Sequence, residues 1–198
     1  MERVSSTTEV NERIGATVRG LRARRGLSLE ALALASGVSR SGLSLIERAE
    51  SSPTAAVLDK IAAGLGVPLA SLFGRMDVDS PSPVARHADQ PVWRDPSSGY
   101  ERRSVSPDGA RSPIRIVEVS LPPGARVAFE TGARERVVHQ QLWILEGAVE
   151  FVLGSDCHRL EAGDCLALTL DQPTMFHNPT DEPSRYAVVV VDESSGRR

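Results

Sequence analysis

Apolar residues recur at intervals of three and four in the first third of the chain, the spacing typical of amphipathic helices. Gly26, Gly37 and Pro53 interrupt the pattern and indicate where helices stop. A serine close to each of them is suited to cap the N-terminus of the next helix. The pattern therefore predicts five short helices. Their apolar positions are Ile14, Val18 and Leu21; Leu29 and Leu32; Leu43 and Ile46; Leu58, Ile61 and Leu65; and Leu69, Leu72 and Phe73.

The period changes to two after a polar, proline-bearing stretch, residues 75–84, whose composition is typical of an exposed linker crossed by few contacts. Short segments rich in β-branched residues follow, separated by turn signals such as Pro122-Pro123-Gly124 and Asn178-Pro179. This rhythm predicts an antiparallel sandwich or barrel. The predicted strands include 114–121, 137–145, 149–153, 165–170 and 186–191.

A chain of 198 residues suits two small domains. We expect a multidomain α plus all-β protein, with a flexible tail over 1–12, a helical domain over 13–74, the linker over 75–84, a β domain over 85–192 and a tail over 193–198. No apolar run approaches the length of a membrane span, and the first residues do not resemble a secretory signal. These observations predict a cytoplasmic protein without a membrane partner.

Charge is distributed unevenly, although the net charge is only −3. Seven arginines lie between Arg13 and Arg48, opposed over that stretch by Glu30 and Glu47, so this part of the chain is locally basic. The two cysteines, Cys157 and Cys165, form no CxxC pair, and we expect both to be buried reduced thiols.

The basic segment contains the parts of a helix-turn-helix: a first helix from Ser28, a turn at Ser36-Gly37-Val38, and a second helix from Ser39 to Arg48. The sequence resembles the xenobiotic-response-element family of phage-repressor-like helix-turn-helix proteins. The segments that resemble this family are Arg24-Arg25-Gly26-Leu27-Ser28-Leu29, Ser36-Gly37-Val38-Ser39, Leu43-Ser44, Ile46-Glu47-Arg48, Ser52-Pro53-Thr54 and Leu65-Gly66-Val67.

The resemblance implies binding to double-stranded DNA at a pseudo-palindromic operator by a homodimer. It also implies a salt bridge between Arg22 and Glu47. Leu45 either contacts a thymine methyl group or is merely exposed, and Gly42 either allows close backbone approach to DNA or is neutral. The base-reading positions fall on Arg40, Ser41, Ser44 and Leu45. Phosphate contacts are expected from Ser28 and Ser39, with Arg19, Arg24, Arg25 and Arg48 as weaker candidates, and Leu29 is also expected among the DNA-binding residues.

The second half of the chain resembles the cupins, which are small jelly-roll barrels, through Pro123-Gly124, the segment 142–147, Gly163-Asp164 and Asn178-Pro179. Where cupins carry metal ligands, this chain has Arg134, Arg136, Gln140 and Thr174, which do not form an ordinary ligand set. His139 and His177 each lie an odd number of residues from a ligand position, so a strand would point them to the opposite face. We therefore expect no metal and no cofactor.

The inward positions of the predicted barrel suggest a small-molecule pocket, although a filled structural core is the alternative. Arg134 and Arg136, if they point inward, favour an anionic effector. Trp143 is out of phase with Gln140 and is expected on the outer face or at a subunit interface. The predicted lining is Arg134, Arg136, Gln140, Leu142, Ile144, Thr174 and Phe176.

The sequence thus predicts a transcriptional regulator, not an enzyme, associated with the nucleoid, whose cupin domain senses a small-molecule effector and mediates dimerisation. Two alternatives stay open: a metal-dependent cupin enzyme tethered to DNA, and a DNA-binding protein that needs no ligand.

Overall fold

The computed structural model describes residues 7–74, 82–109, 112–130 and 138–191. Its N-terminal part consists of helices joined by short turns. The α-helices of the described residues are α1 (Thr7–Arg24), α2 (Leu29–Ser36), α3 (Arg40–Glu47) and α4 (Ala55–Gly64), followed by a 3₁₀ helix over Leu69–Leu72; a second 3₁₀ helix covers His87–Asp89.

Two expectations for this part are wrong in detail. The fifth helix is the 3₁₀ helix at Leu69–Leu72, because the segment between Pro68 and Gly74 has room for little more than one turn, and side chains three apart also share a face of a 3₁₀ helix. The flexible tail over 1–12 is too long, because α1 begins at Thr7 and already buries Val10 and Asn11.

Side-chain caps fix where the central helices begin. The Ser28, Ser39 and Thr54 hydroxyls accept hydrogen bonds from the backbone N–H groups of Ala31, Gly42 and Val57. Such caps satisfy donors that have no partner within the helix, and each contributes about 1 kcal/mol.

The second part consists of antiparallel strands arranged in two sheets. The described strands, in chain order, are β1 (Val92–Arg94), β2 (Glu101–Ser104), β3 (Ile114–Leu121), β4 (Arg126–Phe129), β5 (His139–Glu146), β6 (Ala148–Leu153), β7 (Asp156–Glu161), β8 (Cys165–Thr169), β9 (Thr174–His177) and β10 (Ser184–Val191). One sheet has the order β1-β2-β3-β10-β5-β8 and the other the order β4-β9-β6-β7. The described strands therefore form a two-sheet sandwich, one of the two arrangements that the turn rhythm predicted, and they do not close into the jelly-roll barrel that the cupin resemblance implies.

Aromatic side chains fill the space between the sheets. Phe176 stacks on Tyr186 with ring centroids 5.5 Å apart, and it meets Phe151 and Phe129 edge to face. These contacts join β9 of one sheet to β10 of the other, in geometries that aromatic pairs favour.

The helical part packs directly against the sandwich, contrary to the expectation that few contacts cross the boundary. Phe73 meets Trp93 edge to face at 5.6 Å, and Lys60 forms an ion pair with Glu130 at 2.9 Å. Of the predicted linker, residues 75–81 lie outside the described residues, so the packing is carried by the segments on either side of them.

Asp95 ties the two parts together at the start of α4. Its Oδ1 accepts a hydrogen bond from the Ala55 N–H at 3.0 Å, and its Oδ2 accepts hydrogen bonds from Ser97 and Ser98. Burial raises the pKa of the Asp95 carboxyl, but hydrogen bonds from Ser98, Ser97 and Ala55 outweigh burial, so the pKa lies below its ordinary value. The carboxylate form therefore stabilises the folded protein.

Replacing Asp95 with asparagine is expected to cost about 2 kcal/mol at neutral pH, because an NH₂ group would face donors that the carboxylate now accepts from. A lowered pKa contributes stability that is present above the unfolded value, about 3.9, and is lost as the pH falls through the folded value. Wild-type stability should therefore fall more steeply in acid than that of Asp95→Asn. Urea unfolding across pH measures this, with the exposed Asp89→Asn as control; equal acid slopes for wild type and Asp95→Asn would contradict the role of Asp95.

Candidate DNA interface and interdomain cavity

The turn between α2 and α3 has the geometry that a helix-turn-helix requires. Gly37 ends α2 in the left-handed conformation, with φ of 69°, and its N–H donates to the Ala33 carbonyl oxygen at 2.9 Å. Glycine adopts this conformation without steric cost. Leu43 and Ile46 of α3 are buried, so one face of α3 is fixed against the bundle and the opposite face is left to solvent.

The exposed face of α3 carries the residues expected to read bases. Arg40 is 67% exposed and Leu45 38%, Ser41 is exposed and Ser44 is half-buried. The helix is thus oriented as a recognition helix must be, with its N-terminal side chains free to enter a major groove.

The expected phosphate contacts gather at the helix N-termini. The Ser28 and Ser39 hydroxyls serve as caps, at 3.0 Å and 3.1 Å from the N–H groups they accept from, so they border the N-termini of α2 and α3. Leu29 packs its side chain against the core, which leaves its backbone N–H, at the first helical position, as the group available to an anion.

Carboxylates hold two of the arginines on this surface. Arg40 lies 3.7 Å from Glu30, and Arg48 forms two hydrogen bonds with Glu50 while it also contacts the Ser44 hydroxyl. The bond from Arg48 lowers the pKa of Glu50. The four charged side chains are solvent-exposed, and exposed pairs are weak enough to exchange for a phosphate or a base.

The salt bridge implied by the resemblance is present. Arg22 donates to both carboxylate oxygens of Glu47, Nε to Oε1 at 2.6 Å and Nη2 to Oε2 at 2.8 Å, and its Nη1 donates to the Leu27 carbonyl oxygen at 2.9 Å. The hydrogen bond with Glu47 raises the pKa of Arg22. Arg19 donates to the Glu47 backbone carbonyl, so two arginines of α1 hold the C-terminal end of α3.

Gly42 has a local explanation that the sequence did not suggest. A Cβ atom at this position would lie 3.0 Å from the Ser39 hydroxyl oxygen, which caps the same helix. A side chain would therefore crowd the cap, whatever the distance to DNA.

A cavity of about 60 Å³ lies where the helical part meets the sandwich. The helical part contributes Asp59 of α4 and the segment Pro68, Leu69 and Ala70; the sandwich surrounds the rest. The lining residues from the sandwich are Tyr100, Arg102, Phe129, Gln140, Leu170, Thr174, Phe176, Tyr186, Val188 and Val190.

The cavity contains only part of the predicted effector pocket. Gln140, Thr174 and Phe176 line it, whereas Leu142 and Ile144 are fully buried and do not. Arg134 and Arg136 lie outside the described residues. Leu142 and Ile144 thus fit the alternative of a filled core.

Sequence reasoning missed the lining that comes from β2 and from the helical part. Arg102 stands in the charged run Glu101-Arg102-Arg103, which looks like a solvated surface, and only its alternation with Tyr100 along the strand hinted at an inward side chain. Burial raises the pKa of Tyr186 well above its ordinary value, so its hydroxyl stays protonated at the cavity wall.

The outer faces of the two sheets include several side chains whose orientation or burial the sequence predicted. Trp143 is 50% exposed, as its phase relative to Gln140 predicted. His139 is exposed on that face, and His177 points away from its neighbour Phe176 and bonds Glu150 through Nδ1 at 2.8 Å. Cys157 and Cys165 are exposed, which contradicts the expected burial: Cys157 lies between polar neighbours in β7, and Cys165 lies on the outer side of β8, where its neighbour Leu166 is half-buried.

Within the residues that the structure describes, no group of three or more His, Cys, Asp or Glu side chains is arranged to hold a metal ion. The helices in those same residues are all too short or too polar to cross a bilayer.

The geometry and the family comparison agree on a helix-turn-helix domain. Residues 18–72 match the HTH_3 helix-turn-helix family model, so this segment is a helix-turn-helix domain of that family. Together with the two-sheet sandwich, this confirms the expected combination of a phage-repressor-like helix-turn-helix domain with an antiparallel β domain.

Similarity to known proteins extends over different shares of the chain. The chain is 28% identical over 165 residues to the HTH-type transcriptional regulator SutR of Escherichia coli strain K12. This alignment covers 83% of this chain and 86% of that protein. A crystal structure of an HTH_3 family transcriptional regulator from Vibrio cholerae has a TM-score of 0.73 at 27% identity, covering 94% of this chain and 98% of that one. The HTH-type transcriptional regulator Rv0023 of Mycobacterium tuberculosis is 46% identical over 57 residues, only 29% of this chain and 22% of that protein.

Proposed function

We propose that the protein is a sequence-specific DNA-binding transcriptional regulator, whose cupin-like domain senses a small-molecule effector and mediates dimerisation. The observation that carries the proposal is the exposed N-terminal half of α3, which presents Arg40, Ser41 and Ser44 while Leu43 and Ile46 anchor the helix. Such a regulator acts on the chromosome, so the proposal includes a cytoplasmic, nucleoid-associated location.

Arg40 is proposed to make the main base contact. It is the long, exposed cation at the first turn of α3, and a guanidinium donates two parallel hydrogen bonds to O6 and N7 of guanine. Ser41 and Ser44 lie on the same exposed side and would contact neighbouring bases, and Leu45 would meet a thymine methyl group.

The phosphate backbone is proposed to be held by the N-termini of α2 and α3, with Arg48 alongside. Backbone N–H groups and the helix dipole favour an anion at Ser28, Leu29 and Ser39. Each phosphate that is neutralised releases counterions, so operator affinity should fall steeply as salt rises.

Dimerisation is proposed to use the outer face of the six-stranded sheet, here called the sheet face and defined by Ile114, Ile116, Trp143, Val189 and Val191. The strand register places Ile116 opposite Val189 and Ile114 opposite Val191, so the apolar positions form one continuous stripe. Four of the five, all but Val189, expose more than a third of their surface to solvent. A contiguous exposed apolar surface of this kind marks an interaction site.

Selection of operators from random-sequence duplexes at low salt tests the DNA-binding proposal. We expect a pseudo-palindrome, with half-sites about one helical turn apart, that the wild type binds in preference to bulk DNA. Absence of any enriched sequence would contradict the proposal.

Arg40→Ala is expected to lose about 1–3 kcal/mol of discrimination at one base pair per half-site, while binding to non-specific DNA changes little. Competition titrations with operators altered at each position measure this. Arg86→Ala removes an exposed arginine of the β domain and serves as the matched control. Unchanged base preference in Arg40→Ala would show that Arg40 does not contribute to sequence recognition.

A further inference from the structure

Arg102 is a buried cation at the wall of the interdomain cavity. It is only 5% exposed, and its guanidinium carbon lies 5.0 Å from the centroid of the Phe73 ring. Its Nη1 donates one long hydrogen bond, 3.4 Å, to the Tyr100 hydroxyl. In the described part of the chain, Nε has no hydrogen-bond partner and the guanidinium has no ion-pair partner.

A buried guanidinium without a counterion is costly, because burial removes the water that would otherwise stabilise its charge. The cost is recovered when an anion binds, and a carboxylate matches the planar donors of arginine particularly well. The stacked Phe73 ring compensates only part of the lost hydration.

The remaining wall restricts what kind of anion fits. Most of the lining is apolar, and the volume is about 60 Å³, which requires a compact ligand. Gln140, Thr174 and the Tyr186 hydroxyl add neutral polar groups. Asp59 also lines the cavity, and among the described lining residues Arg102 is the one cation, which matches a ligand with a single carboxylate.

We infer that the effector of the proposed regulator is a compact monocarboxylate with a short apolar body, bound in the interdomain cavity through Arg102. This inference rests on the proposed function and gives it a ligand class. It also explains how ligand binding would affect DNA binding. The ligand would contact Leu69 and Ala70 of the helical part and the guanidinium that stacks on Phe73. Occupancy would therefore bias how the helix-turn-helix domain sits on the sandwich, which sets the spacing of two recognition helices in a dimer.

The test uses the full chain with acetate, propionate and butyrate, each compared with the amide of the same chain length at equal ionic strength. We expect at least one carboxylate to bind with one site per chain by calorimetry and to raise the melting temperature, while the amides do neither. Arg102→Met should weaken that binding about tenfold or more, because a hydrogen-bonded charge pair is lost. The carboxylate affinity of Arg102→Lys should lie between those of the wild type and Arg102→Met. Arg126→Met, which replaces an exposed arginine of β4, should bind the carboxylate as the wild type does.

The folded state of the variant can be checked independently. Unliganded Arg102→Met should melt no lower than the wild type, since the substitution removes a buried charge without a counterion. If none of the carboxylates binds, or if Arg102→Met binds them as tightly as the wild type, the inference is overturned. Operator binding in the absence of ligand distinguishes a wrong ligand assignment from failure of the proposed function. If only the ligand assignment is wrong, both the wild type and Arg102→Met should still bind the operator.

Discussion

Glu47→Ala is expected to destabilise the helix-turn-helix domain by about 3–5 kcal/mol. Glu47 is buried, with its side chain only 7% exposed, and both of its oxygens accept from Arg22, whose own side chain is 17% exposed. The substitution leaves a largely buried guanidinium without a counterion and removes one of the two arginine contacts by which α1 holds α3. Since domains are stable by only about 5–15 kcal/mol, operator binding should fail at temperatures the wild type tolerates.

Urea unfolding followed by far-ultraviolet circular dichroism measures the effect of Glu47→Ala. Glu50→Ala is the matched control, because Glu50 also pairs with an arginine but lies exposed at the surface, and it should unfold much as the wild type does. The double variant Arg22→Met, Glu47→Leu should regain most of the lost stability, since apolar replacement of both partners leaves no uncompensated charge. Equal midpoints for Glu47→Ala and Glu50→Ala would show that burial does not strengthen this pair.

The helical part was predictable because its signals are local. Ser28 and Ser39 cap helices that begin directly after them, and Gly37 adopts the turn conformation that no other common residue adopts as easily. The 3₁₀ helix at Leu69–Leu72 escaped prediction because spacings of three suit both helix types over so short a segment.

The longer strands were predicted for a similar reason. Ile114–Leu121 and Cys165–Thr169 alternate between inward and outward side chains, with β-branched or apolar residues on the inner side. Short strands such as Val92–Arg94 and Glu101–Ser104 carry too few alternations to be recognised, and Glu101–Ser104 is polar throughout. The strand that holds Arg102 was therefore among the parts least visible in the sequence.

The cavity could not be predicted because it arises from contacts between distant segments. Asp59 and Leu69 meet Arg102 and Gln140 only through the docking of the helical part on the sandwich, which Phe73, Trp93 and Asp95 secure. Period and composition report which face of an element is apolar, but not which other element will cover it.

Trp143→Glu is expected to convert the proposed dimer to monomers and to lower operator affinity by about 10²–10⁴-fold, the advantage gained by linking two binding heads. Trp143 lies at the centre of β5, with Ala187 on one side and Cys165 on the other, and half of its surface is exposed. A carboxylate there would be buried without a counterion in a face-to-face dimer, whereas in a monomer it stays in water. The variant should therefore keep its fold while losing self-association.

Analytical ultracentrifugation and operator titration of the same samples measure the two effects of Trp143→Glu. Val84→Glu is the matched control, because Val84 is 52% exposed and is not one of the residues that define the sheet face, so this variant should remain dimeric with full affinity. Binding to an isolated half-site needs only one helix-turn-helix domain. It should therefore be unchanged in Trp143→Glu, because the substitution does not alter α3. A Trp143→Glu protein that sediments as a dimer would exclude the sheet face as the interface, and a wild type that binds the full operator as a monomer would contradict dimerisation itself.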